Sequence, residues 1–250
     1  METYDDDLTR FEAEGAAPLP DTNDQGYLEH DWVRIWYASY GSGSPVILLH
    51  GGYRAVVIDS RGHGRSTRDE RPYTYELMAS DVSAVMDALR LEKAGLVGWS
   101  DGACIALILA TQAPARAAGV FFFACNMDPS GTKEIEFTPA LNRCFSRHVK
   151  DYARLSPAPD KFDEFSEAVS LMQRTQPNYS ADDLAQFRVP VAIVQSEQDE
   201  FIKREHAEYL ARSIPNAEFI YLPEVSHFAP LQRPEQFNSA MLAFLSKVLP

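Results

Sequence analysis

Four short apolar runs, PVILLH (45–50), RAVVID (54–59), AGLVGW (94–99) and GVFFFA (119–124), recur in the first half of the chain. Two more, VPVAIV (189–194) and AEFIYL (217–222), come late. None of the six alternates polar with apolar residues, as a strand wetted on one face must, so they read as strands covered on both faces. Helical spacing fills the intervals. Met78, Val82, Val85 and Leu89 form one stripe and Phe237, Met241, Phe244 and Val248 another, while Cys104 to Ala110 is apolar all round, as in a helix buried against a sheet. Strands alternating with helices predict an α/β chain with a mostly parallel, doubly wound central sheet and helices on both faces.

A length of 250 residues suits one domain. Residues 1–25 are acidic, carry two prolines and read as a mobile or surface-draped lead-in. Strand-like stretches at 26–29 and 32–40 follow. Residues 26–126 and 188–250 hold the strand–helix rhythm and form the expected core. Residues 127–187 break it: Leu141, Phe145, His148, Tyr152 and Leu155 make one helical face, and Phe162, Phe165, Val169 and Met172 another. With no buried strand between them, this stretch predicts a small helical lid insertion over the strand ends.

Charge narrows the partners. Lys and Arg total 23 against 36 Asp and Glu, a formal charge of -13. The one basic cluster, Arg61, Arg65, Arg68 and Arg71, is diluted by Asp69 and Glu70, so nucleic acid and anionic membrane are not expected partners. No apolar run approaches the roughly 20 residues of a membrane span. The N-terminus is acidic where a secretory signal would be basic and then apolar. Cys104, Cys125 and Cys144 lack paired spacing, and no two histidines share helical or strand spacing with a carboxylate, so neither disulfide nor metal site is expected. A cytoplasmic monomer or homodimer fits these features.

Gly98-Trp99-Ser100-Asp101-Gly102 carries the chemistry. It ends one apolar run and opens the apolar helix after it, the strand–turn–helix setting of a nucleophile elbow. The flanking glycines are expected because side chains there would collide with strand or helix. Ser100 then stands at a helix N-terminus, where developing negative charge is favoured. Of the histidines, His227 follows the last predicted strand and precedes the last helix, where open α/β sheets gather ligands and catalytic groups. Asp199, just after the run 189–194, is the first choice to orient it, and Asp128, after the run 119–124, is the competitor. Glu197 and Glu200 would need a shifted loop to serve. The backbone N–H groups of Gly52 and Asp101 are the expected oxyanion donors. Trp99, Phe137, Phe145 and Met172 are candidate substrate contacts.

In order, LLHGG, VVIDSRGHGRS, VGWSDGA, QSEQDEFI and VSHFAPLQRPEQF resemble the α/β-hydrolase superfamily from about residue 26 onward. The resemblance implies hydrolysis of ester, thioester, lactone, amide or carbon–carbon bonds without a cofactor. The elbow GWSDG is similar to that of valacyclovir-hydrolase-like amino-acid ester hydrolases, which implies a substrate ammonium on Asp101. The plainer reading, a carboxylate in the first turn of a helix, is preferred.

One feature departs from the pattern. Only Gly51, Gly52 and Tyr53 separate the runs at 45–50 and 54–59, whereas a buried parallel pair needs a crossover of about a dozen residues. The favoured expectation is a further segment of roughly 15–25 residues here, enough for a loop and a short helix. A true deletion would displace Gly52 and impair the oxyanion site. The expected activity is that of a serine hydrolase on a small-molecule carboxylic ester, acting through an acyl-enzyme. A carbon–carbon hydrolase or lactonase with the same triad, and a non-catalytic binding homologue, are the alternatives.

Overall fold

A computed structural model describes Ala13, residues 20–47 and residues 54–249. Among the described residues, eight strands build one sheet: β1 (Asp24–His30), β2 (Val33–Tyr40), β3 (Pro45–Ile47), β4 (Arg54–Ile58), β5 (Ala94–Trp99), β6 (Ala117–Phe123), β7 (Val191–Gln198) and β8 (Ala217–Ser226). They lie in the order β1-β2-β4-β3-β5-β6-β7-β8. β1 pairs antiparallel with β2, and β2 with β4; all the other pairs are parallel. The sheet is thus mostly parallel, as the unbroken runs predict. β1 starts at Asp24, two residues inside the expected lead-in.

Parallel pairing of β3 with β4, Pro45 opposite Arg54 and Ile47 opposite Val56, excludes a hairpin between these two runs. Residues 48–53, where the short connection and Gly52 fall, lie outside the described residues. So do 1–12 and 14–19, most of the expected lead-in.

Helices cover both faces. α1 (Tyr75–Ala88) and α2 (Asp101–Gln112) pack on one side, and α8 (Pro234–Val248) on the other. Strand β6 shows how one short run serves both. Val120 and Phe122 point into the cluster with Met78, Val85 and Leu107, while Phe121 and Phe123 point into the cluster with Phe237, Met241 and Phe244. Every side chain of that run is buried, which is why it has no polar alternation.

Between β6 and β7 run α3 (Pro139–Leu155), α4 (Phe162–Thr175) and the single turn α5 (Ala181–Leu184). The buried face of α3 is rotated from the expected stripe. Leu141, Cys144 and Tyr152 are buried, whereas Phe145 stands 42% exposed. Beyond β7 come α6 (Arg204–Ser213) and, after β8, the turn α7 (Ala229–Gln232). No described helix is long and apolar enough to cross a membrane.

Candidate active site

Strand order reverses between the parallel neighbours β3 and β5, since β4 lies on one side of β3 and β5 on the other; connections leaving such neighbours diverge and open a crevice at the strands' carboxyl ends. Ser100 stands there, between the end of β5 and the first turn of α2. Its backbone has φ 54 and ψ -129, a sparsely populated conformation that costs on the order of 1–3 kcal/mol and must be held by its surroundings. Two backbone bonds hold it, Ser100 N–H to Phe123 O at 3.0 Å and Ala103 N–H to Ser100 O at 2.8 Å. The two elbow glycines differ. A Cβ on Gly98 would meet the Gly102 carbonyl at 2.3 Å and the Ala103 backbone at 2.4 Å, but one on Gly102 would meet nothing within 4 Å. The expected collision is real at the first glycine only.

His227 follows β8 and is buried. Its Nδ1 lies 3.2 and 3.1 Å from the two carboxylate oxygens of Asp199. An N–H at Nδ1 donating to that carboxylate leaves Nε2 as the acceptor nitrogen. Asp199, 2% exposed, also accepts the N–H groups of Phe201 at 2.9 Å and Ile202 at 2.8 Å. Burial pushes its carboxyl up, but the His227 charge and hydrogen bond and these two backbone donors together hold it below the usual carboxylate range. The imidazole is packed among rings, with centroids 4.6 Å away for Phe201, 5.5 Å for Phe228 and 6.0 Å for Trp99. Trp99 precedes Ser100, so the ring contact sets the histidine beside the elbow. Neither the Ser100 hydroxyl nor His227 Nε2 forms a hydrogen bond among the described residues.

Asp128 goes elsewhere. It caps the turn Pro129–Gly131 through Ser130 N–H at 2.9 Å, and its other oxygen lies 3.7 Å from His206 Nδ1. Glu197 accepts the Glu224 N–H at 2.8 Å. Asp101, the first residue of α2, has a backbone N–H without an intrahelical acceptor. Its carboxylate accepts from the Tyr75 hydroxyl at 2.7 Å and from Gln173 Nε2, on α4, at 2.9 Å. Burial and the Asp101 charge drive the Tyr75 hydroxyl far up, so Tyr75 remains a donor.

Of the four candidate substrate contacts, Trp99 packs with Phe228, Leu141 and Cys144. Phe137 and Phe145 stand 70% and 42% exposed, ring centroids 6.4 Å apart. Met172 is 2% exposed within the main core and presents no open surface. Sequence reasoning passed over Tyr75 and Gln173, which nothing in their local pattern marks. It also weighed Glu200 only as a substitute acid, although Glu200 binds the His227 backbone at 2.9 Å; its place directly after Asp199 was the available signal. Among the described residues, no three His, Cys, Asp or Glu side chains stand together to hold a metal.

Comparison with known proteins agrees with this fold. A model described as the alpha/beta hydrolase family matches residues 27–240. AB hydrolase superfamily protein YisY of Bacillus subtilis (strain 168) is 25% identical, the match covering 85% of this chain and 95% of that protein. The serine hydrolase BPHL of Homo sapiens is 24% identical over 85% of this chain and 83% of its own. A solved structure described as "Est816 as an N-Acyl homoserine lactone degrading enzyme" superimposes with a TM-score of 0.66 at 27% identity. It covers 88% of this chain and 100% of that one.

Proposed function

Because the chain belongs to the alpha/beta hydrolase family, we propose that it is a cofactor-independent serine hydrolase that cleaves a small-molecule carboxylic ester through an acyl-enzyme. The observation that carries this reading is the pairing of a strained, helix-capping Ser100 with a buried Asp199–His227 hydrogen-bonded pair one aromatic ring away. Ser100 Oγ attacks the ester carbonyl as His227 Nε2 takes its proton. The carbonyl electrons move onto oxygen, and the Asp101 N–H and the α2 dipole stabilise that charge; Gly52 is the second donor. Collapse expels the alcohol with the proton from His227. Water then repeats the cycle on the acyl-enzyme, and Asp199 holds the imidazole tautomer throughout. The stretch 127–187 acts as a lid that offers Phe137 and Phe145 to the substrate, and Trp99 meets it from the end of β5.

A fluorophosphonate that captures activated serines, followed by intact mass, tests the reading. One adduct on the wild type, absent in Ser100→Ala together with hydrolysis of an activated aryl ester, supports it; an unlabelled wild type overturns it. Similarity to Est816, whose description names a lactone, favours a second reading as lactonase with the same residues. Turnover of an N-acyl homoserine lactone that exceeds that of the open ester would establish it.

A further inference from the structure

Three consecutive amides in the corner where β8 ends are held by side chains. Ser226 N–H donates to Gln232 Oε1 at 2.7 Å, His227 N–H to Glu200 Oε2 at 2.9 Å, and Phe228 N–H to Ser226 Oγ at 3.2 Å. Gln232 and Ser226 belong to the corner itself. Glu200 is the tie that reaches it from another element, 27 residues away. The neighbouring residue, Asp199, grips the same histidine at its ring. One dipeptide therefore fixes His227 at two points, the ring and the backbone from which the ring hangs.

The second carboxylate oxygen of Glu200 leads into the stretch over the site. Oε1 accepts the hydroxyl of Thr138 at 3.1 Å, and that hydroxyl in turn accepts Leu141 N–H at 3.1 Å as the N-cap of α3. Leu141 and Cys144 of α3 pack with Phe228, Trp99 and Phe201, the rings around His227. The approach to α3 is stitched to the same loop. Lys133 N–H donates to Phe201 O at 2.7 Å, Lys203 N–H to Gly131 O at 2.9 Å, and Lys133 Nζ to Asp199 O at 2.7 Å.

We propose that Glu200 is a positioning residue for His227: one carboxylate oxygen holds the histidine's backbone, the other the cap of α3, so the seating of α3 sets the direction of the imidazole. The proposal rests on the hydrolase reading for its consequence in turnover, but the geometry it asserts is independent of that reading. A carboxylate can accept both bonds at once, whereas a carboxamide has a single acceptor oxygen and meets the other donor with an N–H. Aim matters because a misplacement of about 1 Å in a reacting group can cost around a hundredfold in rate.

The test compares the wild type with Glu200→Ala, Glu200→Gln, Thr138→Val and Thr138→Ser. Three quantities are measured: kcat and KM on an activated aryl ester, thermal melting, and the imidazole nitrogen NMR signals of His227. Glu200→Ala is expected to lower kcat about 10- to 100-fold with KM within about twofold, and to move the His227 Nδ1 signal. Glu200→Gln falls between it and the wild type. Thr138→Val moves both readouts in the same direction by less, and Thr138→Ser, which keeps the hydroxyl, restores them. A kcat that falls only with the folded fraction, or a His227 signal unchanged in Glu200→Ala, overturns the proposal. Should Glu200→Ala not fold, identical behaviour of Thr138→Val and Thr138→Ser does so instead. A wild type that neither turns over the ester nor takes up fluorophosphonate defeats the hydrolase reading, and the NMR comparison still decides the positioning role.

Discussion

Two Asp–His pairs lie at the carboxyl ends of neighbouring strands, and they solve opposite problems. At Asp199–His227, both carboxylate oxygens lie within 3.2 Å of Nδ1, and Nε2 has no hydrogen bond among the described residues. At Asp128–His206, the acceptor nitrogen is taken: Nε2 accepts the Met127 N–H at 3.2 Å, with Nδ1 3.7 Å from Asp128. A Cβ on Gly131 would stand 2.5 Å from that ring, so the turn closes over it. His206 sits on a helix and joins α6 to the loop after β6; His227 sits in the loop after β8 and keeps one nitrogen in reserve. A histidine whose acceptor nitrogen is already taken is a strut, and proton transfer needs that nitrogen free.

The largest expected effect falls on the first pair. Asp199→Asn should lower kcat about 10⁴-fold, because the amide favours the wrong imidazole tautomer while the Phe201 and Ile202 N–H groups keep an acceptor. Steady-state kinetics beside thermal melting checks this, and a melting loss as steep as the activity loss would put both pairs in the structural class. His206→Ala should do the reverse. It leaves the Met127 N–H buried without an acceptor and destabilises the fold by about 1–3 kcal/mol, with kcat per folded molecule unchanged; urea unfolding measures it. The smallest effect separates the pairs by pH. Burial holds the His206 ring below its ordinary value, with Asp128 acting against it, so the unfolded chain binds its proton more readily. Stability from this ring is complete above about pH 6.5 and falls as pH drops from there toward its folded value. The lowered Asp199 carboxyl contributes above about pH 4, and that contribution is lost as pH falls through its folded value. Melting curves should therefore decline first below about pH 6.5, and His206→Gln should flatten that decline and leave the acid one in place.

Strand positions were legible because burial on both faces leaves an apolar signature that needs no partner to be read. The same holds for the elbow, since Gly98 answers a local collision within five residues. That Asp199 and His227 meet was legible from position, each a few residues past a late apolar run. What escaped reading was whatever depends on a partner far along the chain. Nothing near Asp128 announces His206, and nothing near Thr138 announces Glu200, 62 residues away. The helical stripe through Phe145 and His148 has the right period, but which side of α3 faces inward is decided by the rings around His227, so Cys144 lies inside and Phe145 outside. Met172 looked the same as a pocket residue in sequence because apolar lining and apolar core share one composition.

The open space beside Gly102 bears on how such chains drift. Gly98 is locked by backbone atoms that cannot retreat, whereas position 102, inside the first turn of a helix, has room for a methyl group, and alanine there is favoured by about 1 kcal/mol in helix propensity. Selection for stability alone would erode the second glycine of the motif and leave the first. A descendant could keep the strained serine, the paired histidine and the fold, yet no longer spell the five-letter pattern by which its ancestor is recognised.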